Sequence, residues 1–349
     1  MVKPTKWLPV VLLIALAATS ACGSPIPEAK YSGVNAGAVL APGGDSDNGF
    51  NDMTIAALGR AHHRIGVGIK RVTLSQRGDE RAQRLNQLAD QRYSPVIAVG
   101  DKYAADLSDV ASQHSRTMFA IVDCPAPRAE NVVNITFAEE QGSYLMGVAA
   151  ARKSGSGHLG FIGGSSDAHT RRYQAGFVAG ARSVKPNIAI DVQYLAGQPG
   201  VSSSDGRNSP TAARGIAAQM LERGADVLYH AAGSSGLGVF DAVVTARAQG
   251  NRGVWAIGSD TDQQLVTTPE QQKIILTSMV KRVDNAVFAF LADYSAGKAT
   301  GGVRLMTLAG HSMDFAASGG YLVKYKLIAE LNRVKQAIVD GKITVPTAP

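Results

Sequence analysis

Two similar stretches of sequence decide the fold: AVLAPGG at residues 38–44 and GFIGG at residues 160–164. Each is an apolar run that ends in paired glycines before an amphipathic segment, which is typical of a strand that turns into a helix. The two stretches lie ~120 residues apart in a chain of 349 residues. This separation predicts two domains, each opening with its own strand.

Outward from these stretches, short apolar runs alternate with segments of helical periodicity. Such alternation predicts an α/β protein with parallel sheets covered by helices on both faces. The predicted strands are 34–40, 69–74, 96–99, 118–122, 132–135, 159–162, 188–195, 227–230, 253–257 and 274–279. The predicted helices are 51–65, 79–91, 103–114, 139–153, 167–184, 211–223, 237–249 and 283–296. Open parallel sheets bind ligands at the carboxyl ends of their strands, so two facing sheets predict a ligand site in the cleft between them.

The N-terminus has the pattern of an export signal, residues 1–21. Two lysines precede an apolar run, Trp7–Ala18, that is too short to span a membrane, which needs about 20 residues. Small residues before Cys22 resemble a bacterial lipobox, which predicts a lipidated Cys22, a tether over 22–33 and a protein anchored on the outer face of the cell membrane. Cleavage near Ala21 without a lipid is the alternative. We expect Cys124 to be a free, packed thiol.

The net charge of +7 and the pI near 9.4 suggest a nucleic-acid ligand, but the distribution of charge argues against it. The basic residues are scattered singly and in pairs among acids, without a basic stripe. Export from the cytoplasm argues the same way, so we predict no nucleic-acid partner.

Enzyme motifs are missing from the sequence. There is no GxSxG element, and the histidines lack the spacing of a zinc site. GSSGLG at residues 233–238 has the spacing GxxGxG instead of GxGxxG; Gly233 is either part of a backbone cradle for a ligand oxygen or a plain tight turn. We therefore predict no catalytic residues, no metal and no cofactor.

Polar side chains follow several predicted strands, with aromatic residues beside them. Carboxylates accept hydrogen bonds from hydroxyl and N–H groups, a lysine balances their charge, and aromatic faces stack on flat rings. A flat ring with a polyol is a nucleoside. Each residue also has an ordinary structural interpretation, such as a helix-capping acid or a core aromatic. The polar residues are Asp45, Asp47, Asn51, Asp52, Asp123, Asp260, Asp262 and Lys281; the aromatic ones are Phe50 and Tyr229.

Four segments resemble signature segments of the basic membrane protein (Bmp) family: DNGFND (47–52), YHAAGSSGLGVF (229–240), IGSDTDQ (257–263) and LTSMVKRVD (276–284). RRYQAGF (171–177) fits as well. The resemblance implies a type I periplasmic-binding-protein fold, in which two doubly wound parallel-sheet lobes are joined by three crossovers. It also implies a monomeric lipoprotein that binds a purine nucleoside for an ABC permease.

Carried over residue by residue, the resemblance implies a set of ligand contacts. Phe50 and Tyr229 would sandwich the base. Asn51 and Asp123 would bond its edge. Asp260 and Lys281 would bond the ribose, and Gly233 would lie in the glycine turn beside the ligand. The sequence departs from the family pattern at Gln198–Pro210, a serine-rich loop.

We expect an N-terminal lobe of residues 34–136 plus 282–305 and a C-terminal lobe of 137–281 plus 306–343. Closure would use connections near Thr136–Glu139, Asp260–Gln263 and Val280–Val283. Three other functions stay open: a binding protein for a sugar or another small polar solute, a ligand-sensing surface lipoprotein, and a calcium-dependent nucleoside hydrolase built on Asp45 and Asp47.

Overall fold

The structure is a computed structural model that describes residues 29–42, 44, 49–75, 77–202 and 206–349. The predicted signal segment, the lipidation site Cys22, and Asp45 and Asp47 lie outside the described residues. Twelve strands are described: β1 (Asn35–Leu40), β2 (Gly68–Thr73), β3 (Val96–Val99), β4 (Phe119–Val122), β5 (Val132–Phe137), β6 (His158–Gly163), β7 (Ala189–Tyr194), β8 (Val227–Ala231), β9 (Trp255–Gly258), β10 (Ile275–Lys281), β11 (Gly302–Met306) and β12 (Met313–Phe315).

Eleven α-helices are described among the same residues. They are α1 (Phe50–Ile65), α2 (Arg81–Asp90), α3 (Ala104–Gln113), α4 (Glu139–Lys153), α5 (Ala168–Val184), α6 (Pro210–Glu222), α7 (Gly236–Ala248), α8 (Pro269–Gln272), α9 (Val283–Ser295), α10 (Tyr321–Lys324) and α11 (Ile328–Val339). No helix among the described residues combines the length and the apolar character needed to cross a bilayer.

The strands form two sheets of six with matching order. The first sheet runs β11-β5-β4-β3-β1-β2, and the second runs β12-β10-β9-β8-β6-β7. All described pairings are parallel except that of β10 with β12, which is antiparallel. The predicted α/β class with two parallel sheets is therefore confirmed. Every predicted strand and helix is present within two residues of its expected bounds.

The chain passes between the lobes three times. After β5 of the first sheet, α4 packs on α5 of the second lobe so closely that a Cβ at Gly176 would lie 2.0 Å from the carbonyl oxygen of Glu140. After β10 of the second sheet, α9 packs on α1 of the first lobe, where the Arg60 guanidinium donates to the carbonyl oxygen of Asp284 at 2.7 Å. The third passage joins β11 to β12.

The third passage corrects one expectation. Asp260–Gln263 does not connect the lobes, because it leads from β9 into a short helical turn of the same lobe. The passage between β11 and β12 was not predicted, since both strands were missed. β11 alternates exposed and half-buried residues at a sheet edge, and β12 has three residues, so neither has the continuous apolar run of a central strand.

Candidate functional site

Two acids lie at equivalent strand ends of the two lobes. Asp123 directly follows β4, and one residue separates Asp260 from the end of β9. Strands β4 and β9 occupy the same position in the strand order of their sheets. Both acids have a left-handed backbone, with φ of 61° and 69° respectively. Residues other than glycine rarely adopt this conformation, and such residues concentrate at functional sites. The carboxyl edges of both sheets thus present an acid to the cleft.

Lys281, the last residue of β10, joins these acids at the floor of the cleft. Its ammonium lies 2.7 Å and 2.9 Å from the two carboxylate oxygens of Asp123, 3.2 Å from Glu139 and 3.5 Å from Asp260. Lys281 is fully buried, and the side chain of Glu139 is only 2% exposed. We call Lys281, Asp123, Glu139 and Asp260 the floor cluster.

Aromatic residues surround the floor cluster. The Tyr173 hydroxyl donates to Asp260 at 2.5 Å. The Lys281 ammonium lies 5.3 Å from the centre of the Phe137 ring and 5.4 Å from that of Tyr173, within the range of cation–π attraction. Neither Glu139 nor Tyr173 was singled out from the sequence. Glu139 was detectable, since it follows the predicted strand 132–135 at a distance similar to that of Asp260 from the strand before it.

The charges in the floor cluster reinforce one another. Burial alone would lower the pKa of Lys281, but the carboxylates of Asp123, Glu139 and Asp260 outweigh it and hold that pKa above its usual range. Burial would raise the pKa of Asp260, yet Lys281 and the Tyr173 hydroxyl bring it below the usual range. The floor cluster holds three carboxylates and one ammonium, and the Arg172 guanidinium also lies 3.8 Å from Glu139. Each carboxylate oxygen can accept more than one hydrogen bond, so the acids can still accept from hydroxyl or N–H donors of a ligand.

One group of side chains among the described residues has the spacing of metal ligands: Asp123, Glu139 and His169, whose ligand atoms lie within 4.8 Å of one another. The Lys281 ammonium already contacts two of the three. Because this buried cation occupies the place of a metal ion, the group fits a charge network better than a metal centre.

Asn51 is the second residue of α1, and its side chain reaches back to the loop before the helix. Its side chain is fully buried, accepts from the Ala41 amide at 2.9 Å and donates to the Gly44 carbonyl at 3.0 Å. These bonds hold the backbone between β1 and α1. Phe50, the first residue of α1, is partly buried against the core at the same sheet edge.

Tyr229 lies away from the cleft surface. It is fully buried on β8, with its ring 5.8 Å from that of Phe161 and 5.1 Å from that of Phe177, and its hydroxyl is 3.0 Å from the Ser143 hydroxyl. Its ring is thus packed among core aromatics, and a stacked base would have to displace them. Gly233 has a φ of 54° in the turn before α7, where the Arg207 backbone packs against it. Cys124 is a buried, free thiol, as expected.

Two cavities flank the floor cluster between the lobes. One, of about 470 Å³, reaches from Asp123 and Glu139 to Asp101 and Arg207. The other, of about 500 Å³, lies between the start of α1 and the segment after β9, and it includes Asp262, which accepts from the Ser318 hydroxyl at 2.9 Å. The described part of the site has binding groups from both lobes and no pairing of a nucleophile with a base.

Matching sheets, three passages and a charged floor define a two-lobed binding protein of the type I periplasmic-binding fold. A solute-binding protein of an ABC transporter system from Aeropyrum pernix K1 has the same fold. Its crystal structure superposes with a TM-score of 0.69 at 22% identity, covering 90% of this chain and 93% of that one.

The chain belongs to the Bmp family, described as ABC transporter substrate-binding protein PnrA-like, which matches residues 34–347. Its proteins bind substrates for ABC transporters and are not enzymes, so the partners are a small molecule and a permease. A CD4+ T-cell-stimulating antigen of Listeria innocua is 34% identical over 76% of this chain and 73% of its own length. The ABC transporter nucleoside-binding protein BmpA of Lactococcus lactis is 32% identical over 75% and 74%. An uncharacterised lipoprotein of Pyrococcus abyssi is 27% identical over 96% and 82%.

Proposed function

We propose that this protein captures a purine nucleoside between its lobes, outside the cytoplasmic membrane, and delivers it to an ABC permease. A lipid on Cys22 would hold it at the membrane. The name of the Lactococcus relative supports the ligand class, and the name of the Pyrococcus relative supports the anchor, together with the lipobox-like residues before Cys22.

The floor cluster is the observation that carries the proposal. Asp123 comes from one lobe and Asp260 from the other, and both meet Lys281 within 3.5 Å. A ligand that donates hydrogen bonds to both acids has more contacts in the closed state than in the open one, which favours closure. A nucleoside carries N–H donors at its base and hydroxyl donors at its ribose, so it can satisfy acids on both lobes.

The proposed contacts keep most of those that the family resemblance implies. Asp260 and Lys281 bind the ribose, Asp123 bonds the base edge, and Phe50 stacks on one face of the base. Tyr229 is left out because it is packed in the core. Asn51 acts indirectly by holding the loop that leads to Phe50. The backbone around Gly233 lines the ligand side of the turn before α7.

Calorimetric titration of the purified protein with adenosine, inosine and guanosine tests the ligand class. We expect nucleosides to bind and ribose or free base alone to bind far more weakly. Asp260→Ala removes an acceptor for the ribose and should lower nucleoside affinity at least tenfold, since hydrogen bonds to charged groups contribute about 1.5–3 kcal/mol. Asp109→Ala, which removes an exposed acid on α3, is the matched control and should bind like the wild type.

Binding of glucose or another plain sugar without binding of any nucleoside would overturn the ligand class and favour a sugar-binding protein. Equal affinity of the wild type and Asp260→Ala for a nucleoside would remove the floor cluster from the site. Release of free base from inosine would contradict a binding function altogether.

A further inference from the structure

A second set of charges links the lobes at the far end of the cavity that begins at the floor cluster. The Arg207 guanidinium, from the lobe of β8, lies 3.4 Å from Asp101 of the other lobe and 3.4 Å from Asp167 of its own. We call Arg207, Asp101 and Asp167 the mouth bridge. Among ion pairs between described residues, two cross between the lobes: Lys281 with Asp123 and Arg207 with Asp101.

Burial places the mouth bridge at the opening of the cavity. The side chains of Arg207 and Asp101 are 42% and 57% exposed, whereas those of Lys281 and Asp123 are 0% and 17% exposed. Asp123 and Glu139 of the floor cluster line the same cavity as the three residues of the mouth bridge. The cavity therefore runs from a more buried end at Asp123 and Glu139 to a more exposed end at the mouth bridge.

The backbone of Arg207 is anchored so that its side chain can reach across. Its carbonyl oxygen accepts from the Ser234 hydroxyl at 2.9 Å and from the Ser235 amide at 3.3 Å. The Ser235 hydroxyl also donates to the carbonyl of the preceding Gly206 at 2.9 Å. These bonds tie Arg207 to the turn that precedes α7. The guanidinium itself makes long, single contacts, which can open without disturbing the anchor.

We propose that Arg207 is a gating residue: its contact with Asp101 holds the lobes together at the cavity mouth and must break for a ligand to enter or leave. When the lobes separate, the Arg207 guanidinium can keep its contact with Asp167, which belongs to the same lobe. The gate acts on any ligand that binds between the lobes; for the nucleoside, it rests on the proposed function. An exposed pair of this kind supports an effect of about two- to fivefold.

Distance measurement between spin labels tests the gate without a ligand. Labels at Ser112→Cys on α3 and Glu222→Cys on α6, both exposed, report the separation of the lobes in a chain that carries Cys22→Ser. We expect Arg207→Gln to raise the ratio of open to closed molecules about two- to fivefold at low salt, and Asp101→Asn to do the same. The double variant should exceed neither, and 0.5 M salt should remove the difference. Arg214→Gln, the loss of an exposed arginine on α6, is the control and should match the wild type.

An unchanged distribution in Arg207→Gln would overturn the gate, and so would a double variant whose effect equals the product of the two single effects. A second experiment measures ligand release by stopped-flow. The rate of ligand dissociation should rise about two- to fivefold in both single variants, which should still bind the same ligand as the wild type. Failure of every nucleoside to bind, together with the expected lobe distributions, would refute the proposed ligand and leave the gate intact.

Discussion

The floor cluster and the mouth bridge use the same chemistry in opposite surroundings. Each places one cation between acids of both lobes, and Asp123 and Glu139 of the floor cluster line the same cavity as the mouth bridge. At the floor, contacts of 2.7 Å and 2.9 Å join side chains that are nearly dry. At the mouth, contacts of 3.4 Å join side chains that are about half exposed.

This difference sets how much each contact contributes. At the floor, an unpaired buried charge is costly, so Lys281 and its acids depend on one another. At the solvent-exposed mouth, water and salt ions can replace either partner at little cost, so the contacts of Arg207 can break and re-form. Loss of the buried pair should therefore cost more than loss of the exposed pair, although both pairs link the two lobes.

Removal of the floor cation should have the largest effect. Lys281→Met leaves three carboxylates facing one another in a buried site, and we expect it to lower the free energy of unfolding by about 3–5 kcal/mol. Ligand binding should be lost as well. Urea unfolding followed by circular dichroism measures the first effect, and calorimetry measures the second.

Lys335→Met is the matched control for that experiment. Lys335 bonds Asp314 at 2.8 Å in the same lobe, but the Asp314 side chain is 39% exposed. Its loss should cost about 1 kcal/mol or less. Equal losses in the two variants would show that burial does not distinguish the floor cluster from an ordinary ion pair.

A second prediction concerns His230, a buried group on β8 beside the site. Burial lowers the pKa of His230 to about 4, from 6.5 in an exposed chain. Below pH 6.5, His230 binds a proton in the unfolded chain but stays neutral in the folded protein. Stability should therefore be full above pH 6.5 and fall by about 3 kcal/mol as the pH drops to 4.

His230→Leu tests this prediction because it removes the group that titrates. Its free energy of unfolding should vary less with pH between 6.5 and 4 than that of the wild type, by the same ~3 kcal/mol. His311→Asn is the control: His311 is exposed with a φ of 52°, which asparagine tolerates. Parallel pH profiles for the wild type and His230→Leu would contradict a neutral buried His230.

The sequence predicted the central fold well because its signals are local. Strands such as Val96–Val99 are continuous apolar runs, and α4 has the predicted bounds, 139–153. β11 and β12 were missed because edge strands lack such runs. The third passage between the lobes was therefore missed as well, because only the pairing of these two strands in the folded protein defines it.

The candidate site was harder to predict, since sequence does not show which face of a fully buried strand a side chain takes. All five residues of β8 are buried, so nothing in the run distinguished Tyr229 in the core from a residue at the cleft. Asn51 was similarly ambiguous, because an amide that bonds a ligand and one that bonds a loop look alike. Asp123, Asp260 and Lys281 follow predicted strands, and the fold brings them together.

The smallest expected effect is the change in stability when the mouth bridge is removed, which we compare with a stronger exposed ion pair. Arg152 makes three hydrogen bonds of 2.7–3.0 Å to Glu330 within one lobe, whereas Arg207 makes single contacts of 3.4 Å. Arg152→Gln should cost about 0.5–1 kcal/mol of unfolding free energy, and Arg207→Gln less than about 0.5 kcal/mol. Only Arg207→Gln should change the separation of the lobes. If Arg207→Gln instead destabilised the fold as much as Arg152→Gln and left the lobes in place, Arg207 would be an ordinary structural contact. The contrast between floor and mouth would then be one of strength alone.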